Sequence, residues 1–255
     1  MRSERDPRGH RTLGTHHEHA APDPAAGPAV VVDRVAKTYW RGRVETPALV
    51  DVSLTVAPGE FVAVTGPSGA GKSTLLQLVA GLDRPTRGRI DVNGRCISAM
   101  SDDEATEFRR REIGVVYQTF RLLPDLSIEE NVGVPLMLDG RTTRDIRERV
   151  GRALDRLGLY ERRHHMPAEV SGGELQRAAI ARALVMDPAV LLADEPTGNL
   201  DSAAGDRVLQ DMRRAADELG RTIILITHDA RAAAQADRIE RLLDGAVVPG
   251  ARPAR

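Results

Sequence analysis

The sequence predicts an α/β domain built on a largely parallel core sheet. Runs rich in β-branched residues alternate along the chain with runs of helical apolar spacing, the pattern of strands joined by crossover helices. Three of these runs, IGVVYQ (113–118), AVLLAD (189–194) and TIILIT (222–227), are nearly continuous apolar stretches, as expected of strands covered on both faces. A glycine-rich loop, GPSGAGKST (66–74), lies between a strand-like and a helix-like run, where such folds bind phosphate.

Taken in order, residues 1–28 are rich in Arg, Pro, Gly, Ala and His without apolar periodicity and are expected to be a disordered tail. His16, His17 and His19 lie in it, with nothing rigid to gather them around a metal. Folded sequence begins at AVVVDRV (29–35), and VDVSLTV (50–56), FVAVTG (61–66) and GRIDVNG (88–94) are further strand candidates. Helices are expected over GKSTLLQLVAGL (71–82), TTRDIRERVGRALDRLGL (142–159), SGGELQRAAIARALVM (171–186) and SAAGDRVLQDMRRAADELG (202–220). In the second of these, Ile146, Val150, Leu154 and Leu157 recur at helical spacing, so one face packs inward. DGAVV (244–248) follows one more short strand as a turn. No repeat or linker divides residues 29–248, which are expected to form one domain followed by a short tail at 249–255.

Composition narrows the function classes. A net charge of −1 gives no global basic field, so nucleic acid is not an expected partner. The single cysteine, Cys96, excludes an internal disulfide framework and suits a reducing compartment. No apolar run approaches the roughly 20 residues needed to span a bilayer, and no signal-peptide pattern opens the chain. The expectation is a cytoplasmic protein unless a partner holds it at a membrane. Lysine is scarce: only Lys37 and Lys72 stand against 34 arginines. Lys72 therefore places a compact ammonium, in place of a planar guanidinium, beside the glycine loop.

GPSGAGKST satisfies the G-x-x-x-x-G-K-[ST] pattern with Gly66, Gly71, Lys72 and Ser73 in register. Its residues, Gly66, Pro67, Ser68, Gly69, Ala70, Gly71, Lys72, Ser73 and Thr74, are expected to hold a nucleotide. Backbone amides face the phosphates, Lys72 reaches the β and γ phosphates, and Ser73 coordinates Mg²⁺. Asp194 ends a buried strand and suits a magnesium ligand, held directly or through water. Glu195, next to it, suits a general base for the attacking water. His228 follows TIILIT at the edge where α/β folds place ligands, within reach of a γ-phosphate. Gln118 ends the IGVVYQ run, where its amide could meet the Mg²⁺ shell or the attacking water. VSGGELQR (170–177) reads two ways. Ser171, Gly172 and Gly173 could open a helix onto a phosphate, or Ser171 and Glu174 could form an ordinary capping box, which leaves the glycine pair without a purpose.

These motifs, in this order, resemble the ATP-binding cassette (ABC) ATPases. The likeness rests on the phosphate loop, Gln118, the signature VSGGELQR, Asp194–Glu195, the GNLD stretch at 198–201 and His228, and it covers about residues 29–248. It implies a P-loop NTPase ABC cassette: a RecA-like parallel-sheet core, an antiparallel β subdomain and an α-helical signature subdomain. It also implies a head-to-tail homodimer with ATP at the interface. Ser171, Gly172, Gly173 and Glu174, with Asp201, would then face the nucleotide held by the other copy. Tyr39, in AKTYWRG, occupies the place of the aromatic that stacks on adenine, and its neighbour Trp40 is the alternative.

FRLLPDLSIEENVGVPLMLDG after Gln118 and PTGNLD after Glu195 are similar to the lipoprotein-releasing, macrolide-exporting and cell-division group of that family. That likeness implies an integral-membrane permease partner, a position at the cytoplasmic face of the membrane, and export or extraction of substrate. A cell-division-like role that transmits ATP-driven motion without transport is the alternative. Phe120, Leu122, Leu123 and Leu126 could serve a docking surface for the partner or ordinary packing.

Overall fold

The computed structural model describes residues 27–248; the expectations for residues 1–26, including His16, His17 and His19, and for 249–255 lie outside the described residues. β1 (Val30–Arg41) and β2 (Val44–Val56) form a long antiparallel hairpin, paired from Val30 opposite Val56 to Arg41 opposite Val44. β3 (Phe61–Thr65), buried through its first four residues, leads through the glycine loop into α1 (Lys72–Val79). β4 (Arg87–Val92) and β5 (Arg95–Cys96) complete an antiparallel sheet of order β2-β1-β4-β5. α2 (Asp102–Glu112) runs directly into β6 (Ile113–Tyr117). The helices α3 (Ile128–Leu138), α4 (Thr143–Arg156) and α5 (Gly172–Leu184) follow. Then come β7 (Val190–Asp194), α6 (Ser202–Leu219), β8 (Thr222–Ile226), the single turn α7 (Ala230–Ala233), β9 (Arg238–Leu243) and β10 (Ala246–Val248).

The second sheet has the order β10-β9-β3-β8-β7-β6 and is parallel except for β10. Both its faces are covered. One packs with α1 and the antiparallel sheet around Val64, Leu75, Leu192 and Ile224, and the other packs with α5 and α6 around Phe61, Ala193, Val208 and Leu225. A third apolar cluster belongs to α3, α4 and α5 and centres on Ile128, Val132, Leu136 and Leu154. The architecture is therefore the expected one: a parallel core, an antiparallel β part and a helical part.

Four local expectations are corrected. Gln118 lies just beyond β6, because the ladder with β7 ends where Tyr117 faces Asp194. The 244–248 stretch is a turn only at Asp244 and Gly245; Ala246–Val248 returns antiparallel along β9 and gives that edge a partner. α2 is a helix the apolar pattern does not announce, since only Ala105 and Phe108 are buried in it. It is fixed instead by a capping box at Ser101 and Glu104, with acids in the first turn and arginines in the last. α3, which carries Pro135 near its end, is opened in the same way by Ser127 and Glu130.

The fourth correction concerns the signature glycine pair, of which Gly173, though not Gly172, has a packing purpose within the chain. Gly173 is buried where α5 crosses the first turn of α6, and a Cβ there would sit 2.9 Å from the Ala204 Cβ. A Cβ on Gly172 would meet Leu200 at an ordinary 3.5 Å. Gly173→Ala should therefore lose about 1–3 kcal/mol through overpacking, whereas Gly172→Ala should be neutral or gain up to about 1 kcal/mol. Urea unfolding of the two variants measures the contrast, and equal stabilities would refute the close crossing.

Candidate functional site

Strand order gathers the chemistry-bearing loops. Along the C-terminal edge of β3, β8, β7 and β6 come, side by side, the glycine loop, His228, the Asp194–Glu195 pair and Gln118. Register keeps the edge level: Val64 lies beside Ile226, Ile226 beside Asp194, and Asp194 beside Tyr117.

The glycine loop depends on backbone that side chains would block. Gly66 (φ 153) and Gly71 (φ 97) both lie in the left-handed half of conformational space. A Cβ at Gly66 would strike the Leu242 carbonyl oxygen, and one at Gly71 the Ala48 carbonyl oxygen. Pro67, Ser68 and Gly69 are exposed, while Ala70 is buried. Among the described α-helices only α1 lacks a side-chain N-cap, so its first amides face the loop without a partner from a side chain. Such a terminus attracts anions. The Lys72 ammonium, 6% exposed, donates to the Gly66 and Pro67 carbonyls at 2.9 Å each. Thr74 is half-buried one position beyond Ser73.

The Ser73 hydroxyl donates to Asp194 Oδ1 at 3.3 Å, which unites two oxygens that lie 121 residues apart in the chain. Burial raises the Asp194 carboxyl above the usual carboxylate range; the Ser73 hydrogen bond opposes this, and the neighbouring Glu195 charge adds to it. A hydroxyl and a carboxylate side by side form a hard-oxygen pair suited to Mg²⁺, which usually takes one or two protein oxygens together with phosphates. Among the described residues no cluster of three or more His, Cys, Asp or Glu forms a closed metal cage.

Glu195 has φ 46, a left-handed conformation that costs a non-glycine residue about 1–3 kcal/mol. Its amide donates to the Ile226 carbonyl at 2.9 Å, and this bond fixes the turn. Glu195 Oε1 lies 3.1 Å from His228 Nδ1, so the carboxylate meets the imidazole that follows β8. Gln118 and Asn199 hold each other: Gln118 Nε2 donates to Asn199 Oδ1 at 3.4 Å, and Asn199 Nδ2 donates to the Gln118 carbonyl at 3.0 Å.

The signature segment forms the capping box in full. Ser171 N and Oγ donate to Glu174 Oε2 at 2.8 and 2.7 Å, and Glu174 N donates to Ser171 Oγ at 3.3 Å. These bonds hold the Glu174 carboxyl below its ordinary pKa, with Arg162 3.2 Å away adding to the effect. The Gly172 and Gly173 amides remain outside the helical ladder. Asp201 caps α6 by accepting from Ala204 N at 2.9 Å. The Tyr39 side chain makes its hydrogen bond and ring contact with residues other than these. Its hydroxyl donates to Asp83 at 3.1 Å, and Lys37 Nζ lies 4.9 Å from its ring centre. The neighbouring Trp40 is 61% exposed. Among the described residues no hydrogen bond or ring contact joins either aromatic to residues 66–74.

Two further residues shape the site without a signal in the apolar pattern. Arg182, on the signature helix, donates to the Phe120 and Arg121 carbonyls at 2.9 and 2.5 Å. It thereby holds two residues whose φ values are 47 and 51. Asn131 is fully buried; its Nδ2 donates to the Leu123, Leu126 and Ser127 carbonyls, and its Oδ1 accepts from Leu123 N. This clamp leaves Leu123 47% exposed while Leu122 packs against the helical cluster.

A protein-family model described as ABC transporter matches residues 49–198. The lipoprotein-releasing system ATP-binding protein LolD of Anaeromyxobacter dehalogenans is 47% identical over 227 residues, covering 89% of this chain and 95% of LolD. The macrolide export ATP-binding/permease protein MacB of Syntrophobacter fumaroxidans is 46% identical over 217 residues, and this chain spans only 30% of its length. The ATP-binding cassette MJ0796, solved as a dimer bound to ADP and Pi, superposes with a TM-score of 0.82 at 39% identity, covering 89% of this chain and 99% of that one.

Because folding raises the Asp194 pKa, the folded protein binds that proton more tightly than the unfolded chain. Asp194 therefore costs no stability below its unfolded pKa, and the cost grows as the pH rises from there through its folded pKa, where it ionises while buried. In the protein without nucleotide, Asp194→Asn should be the more stable form at about pH 7.5, with the difference shrinking toward about pH 4. An amide oxygen still accepts from Ser73, so packing is retained. Denaturation at both pH values checks this, and a variant less stable at the higher pH would refute it.

Proposed function

This chain belongs to the ABC transporter family, and from that premise we propose that it is the ATP-hydrolysing subunit of a membrane complex. The observation that carries the reading is the shared strand edge. It brings an uncapped helix N-terminus, the Ser73–Asp194 oxygen pair and the Glu195–His228 pair together. ATP is the substrate, its phosphates held by the backbone amides of Gly66 to Thr74 and by Lys72. Ser73, Asp194 and Gln118 would hold Mg²⁺, which neutralises phosphate charge when bound. Glu195 accepts a proton from a water whose oxygen attacks the γ-phosphorus. The bond from that phosphorus to the bridging oxygen breaks, and ADP leaves with its electron pair. His228, beside Glu195, holds that carboxylate and senses the γ-phosphate. Tyr39 supplies an aromatic face for adenine.

The active unit we propose is a head-to-tail pair of copies; the similar cassette MJ0796 was likewise solved as a dimer. Ser171, Gly172, Gly173 and Glu174 of the partner subunit, with Asp201 of the partner subunit, then close over the nucleotide. Inside one chain Glu174 is already engaged by Ser171, so the Gly172 and Gly173 amides are the groups left for a phosphate. Glu195→Gln should keep ATP binding, lower turnover by roughly 100-fold or more, and accumulate an ATP-dependent dimer visible by size-exclusion chromatography. Wild-type turnover in that variant would refute the general base, and a monomer with bound ATP would refute the shared site.

The partner is an integral-membrane permease at whose cytoplasmic face this subunit sits. The MacB relative joins ATP-binding and permease functions in one protein, of which this chain matches 30%, whereas LolD matches along 95% of its length. The lipoprotein-releasing and macrolide-export names favour export or extraction as the process driven. Leu123, held outward by Asn131 and 47% exposed, is the apolar side chain we assign to docking. A Leu123→Cys variant in a Cys96→Ser background should crosslink to the co-purified membrane subunit and leave other membrane proteins unlabelled. A purified complex without that crosslink would refute the docking surface.

A further inference from the structure

A cavity of about 520 Å³ opens between α4, the C-terminal half of α5 and the C-terminal half of α6. It lies at the far end of the sheet from the phosphate loop, since Asp187 and Arg221, which line it, precede β7 and β8. Its size falls within the range of small-molecule sites. Five arginines and three acidic residues line it, and every other lining residue is apolar.

The arginines are unevenly neutralised. Arg149 is paired with Asp145 at 3.0 Å, Arg214 with Asp211 at 3.7 Å, and the buried Arg221 with Asp187. Arg221 is 5% exposed, and its Nε has no hydrogen-bond partner among the described residues. Arg152 and Arg156 make no hydrogen bond or ion pair among the described residues, although both line the cavity. They stand four apart on α4, a spacing at which like charges repel by a few tenths of a kcal/mol. An anion between them removes that repulsion. Guanidinium groups suit phosphate because their parallel N–H groups match two of its oxygens at once. Beneath them Leu157, Leu184 and Leu219 supply an apolar floor.

We propose that this cavity binds an amphipathic phosphomonoester, its head held by Arg152 and Arg156 and its short apolar body seated on Leu157, Leu184 and Leu219. The proposal stands apart from the ATPase reading, because none of these residues belongs to the strand edge described above. The helices concerned do reach that edge: α5 begins at the signature segment and α6 at Asp201, so an occupant touches the far ends of both.

The test is calorimetric titration of hexyl phosphate into the full chain held in excess ADP, which keeps the phosphate loop engaged. Inorganic phosphate, hexanoate and hexanol are titrated alongside. Hexyl phosphate should bind saturably and more tightly than each of the other three. Arg152→Ala with Arg156→Ala should weaken it roughly tenfold or more, as expected for lost charge-assisted hydrogen bonds. Ala153→Trp, which fills the cavity from α4, should abolish binding while the chain stays folded by circular dichroism. Absence of hexyl phosphate binding, undiminished binding by these variants, or equal affinity for inorganic phosphate, hexanoate or hexanol would overturn the proposal.

Discussion

The hydrogen-bonded ladder β3–β8–β7–β6 has apolar side chains packed on both faces, from Val64 and Leu192 on one to Phe61 and Leu225 on the other. Such a ladder tolerates polar groups only where it ends. Parallel pairing brings all the C-terminal ends to one edge, and the register levels Val64, Ile226, Asp194 and Tyr117 across it. Each chain leaving that edge carries one reactive segment. The site is thus a consequence of where buried strands must stop, and the Glu195 amide bond to Ile226 extends the same ladder by one more step.

Helix ends then divide the labour. α1 opens with Gly71 in a left-handed conformation and no side-chain cap, while α2 to α6 are each capped by Ser, Thr or Asp. The partial positive charge of α1 is therefore left for a ligand, whereas that of α5 is partly met by Glu174. The signature segment serves both as local structure and as a candidate surface for a second copy. Gly173 sits at the junction of the two, because its missing side chain admits Ala204 and brings the first turns of α5 and α6 together.

Much of this was legible in the sequence, in a graded way. The glycine loop, the buried strands of the core and the amphipathic face of α4 follow from local pattern, and Val150 and Leu154 are buried as their spacing predicts. The capping box at Ser171 was legible as one of two alternatives. α2 was not, because only two of its residues face the core and its stability rests on caps and terminal charges. α3 was obscured by Pro135, and its Ser127–Glu130 box was the signal that could have found it. Asn131 and Arg182 carried no local signal, since an asparagine or arginine in a helix gives no sign of which distant carbonyls it will meet.

By itself the sequence determined the chemistry available: a phosphate-binding loop with one lysine, two acids at a strand end, a histidine at another and the capped signature helix. These are properties of a few adjacent residues, set by backbone freedom, periodicity and side-chain hydrogen bonds within one turn. Only the tertiary structure decided who meets whom. Ser73 with Asp194, Glu195 with His228, Gln118 with Asn199, and Gly173 with Ala204 are contacts across 121, 33, 81 and 31 positions. Strand order and helix crossing produce them, and both arise from burying apolar surface over the whole domain, a requirement that no local stretch of sequence expresses.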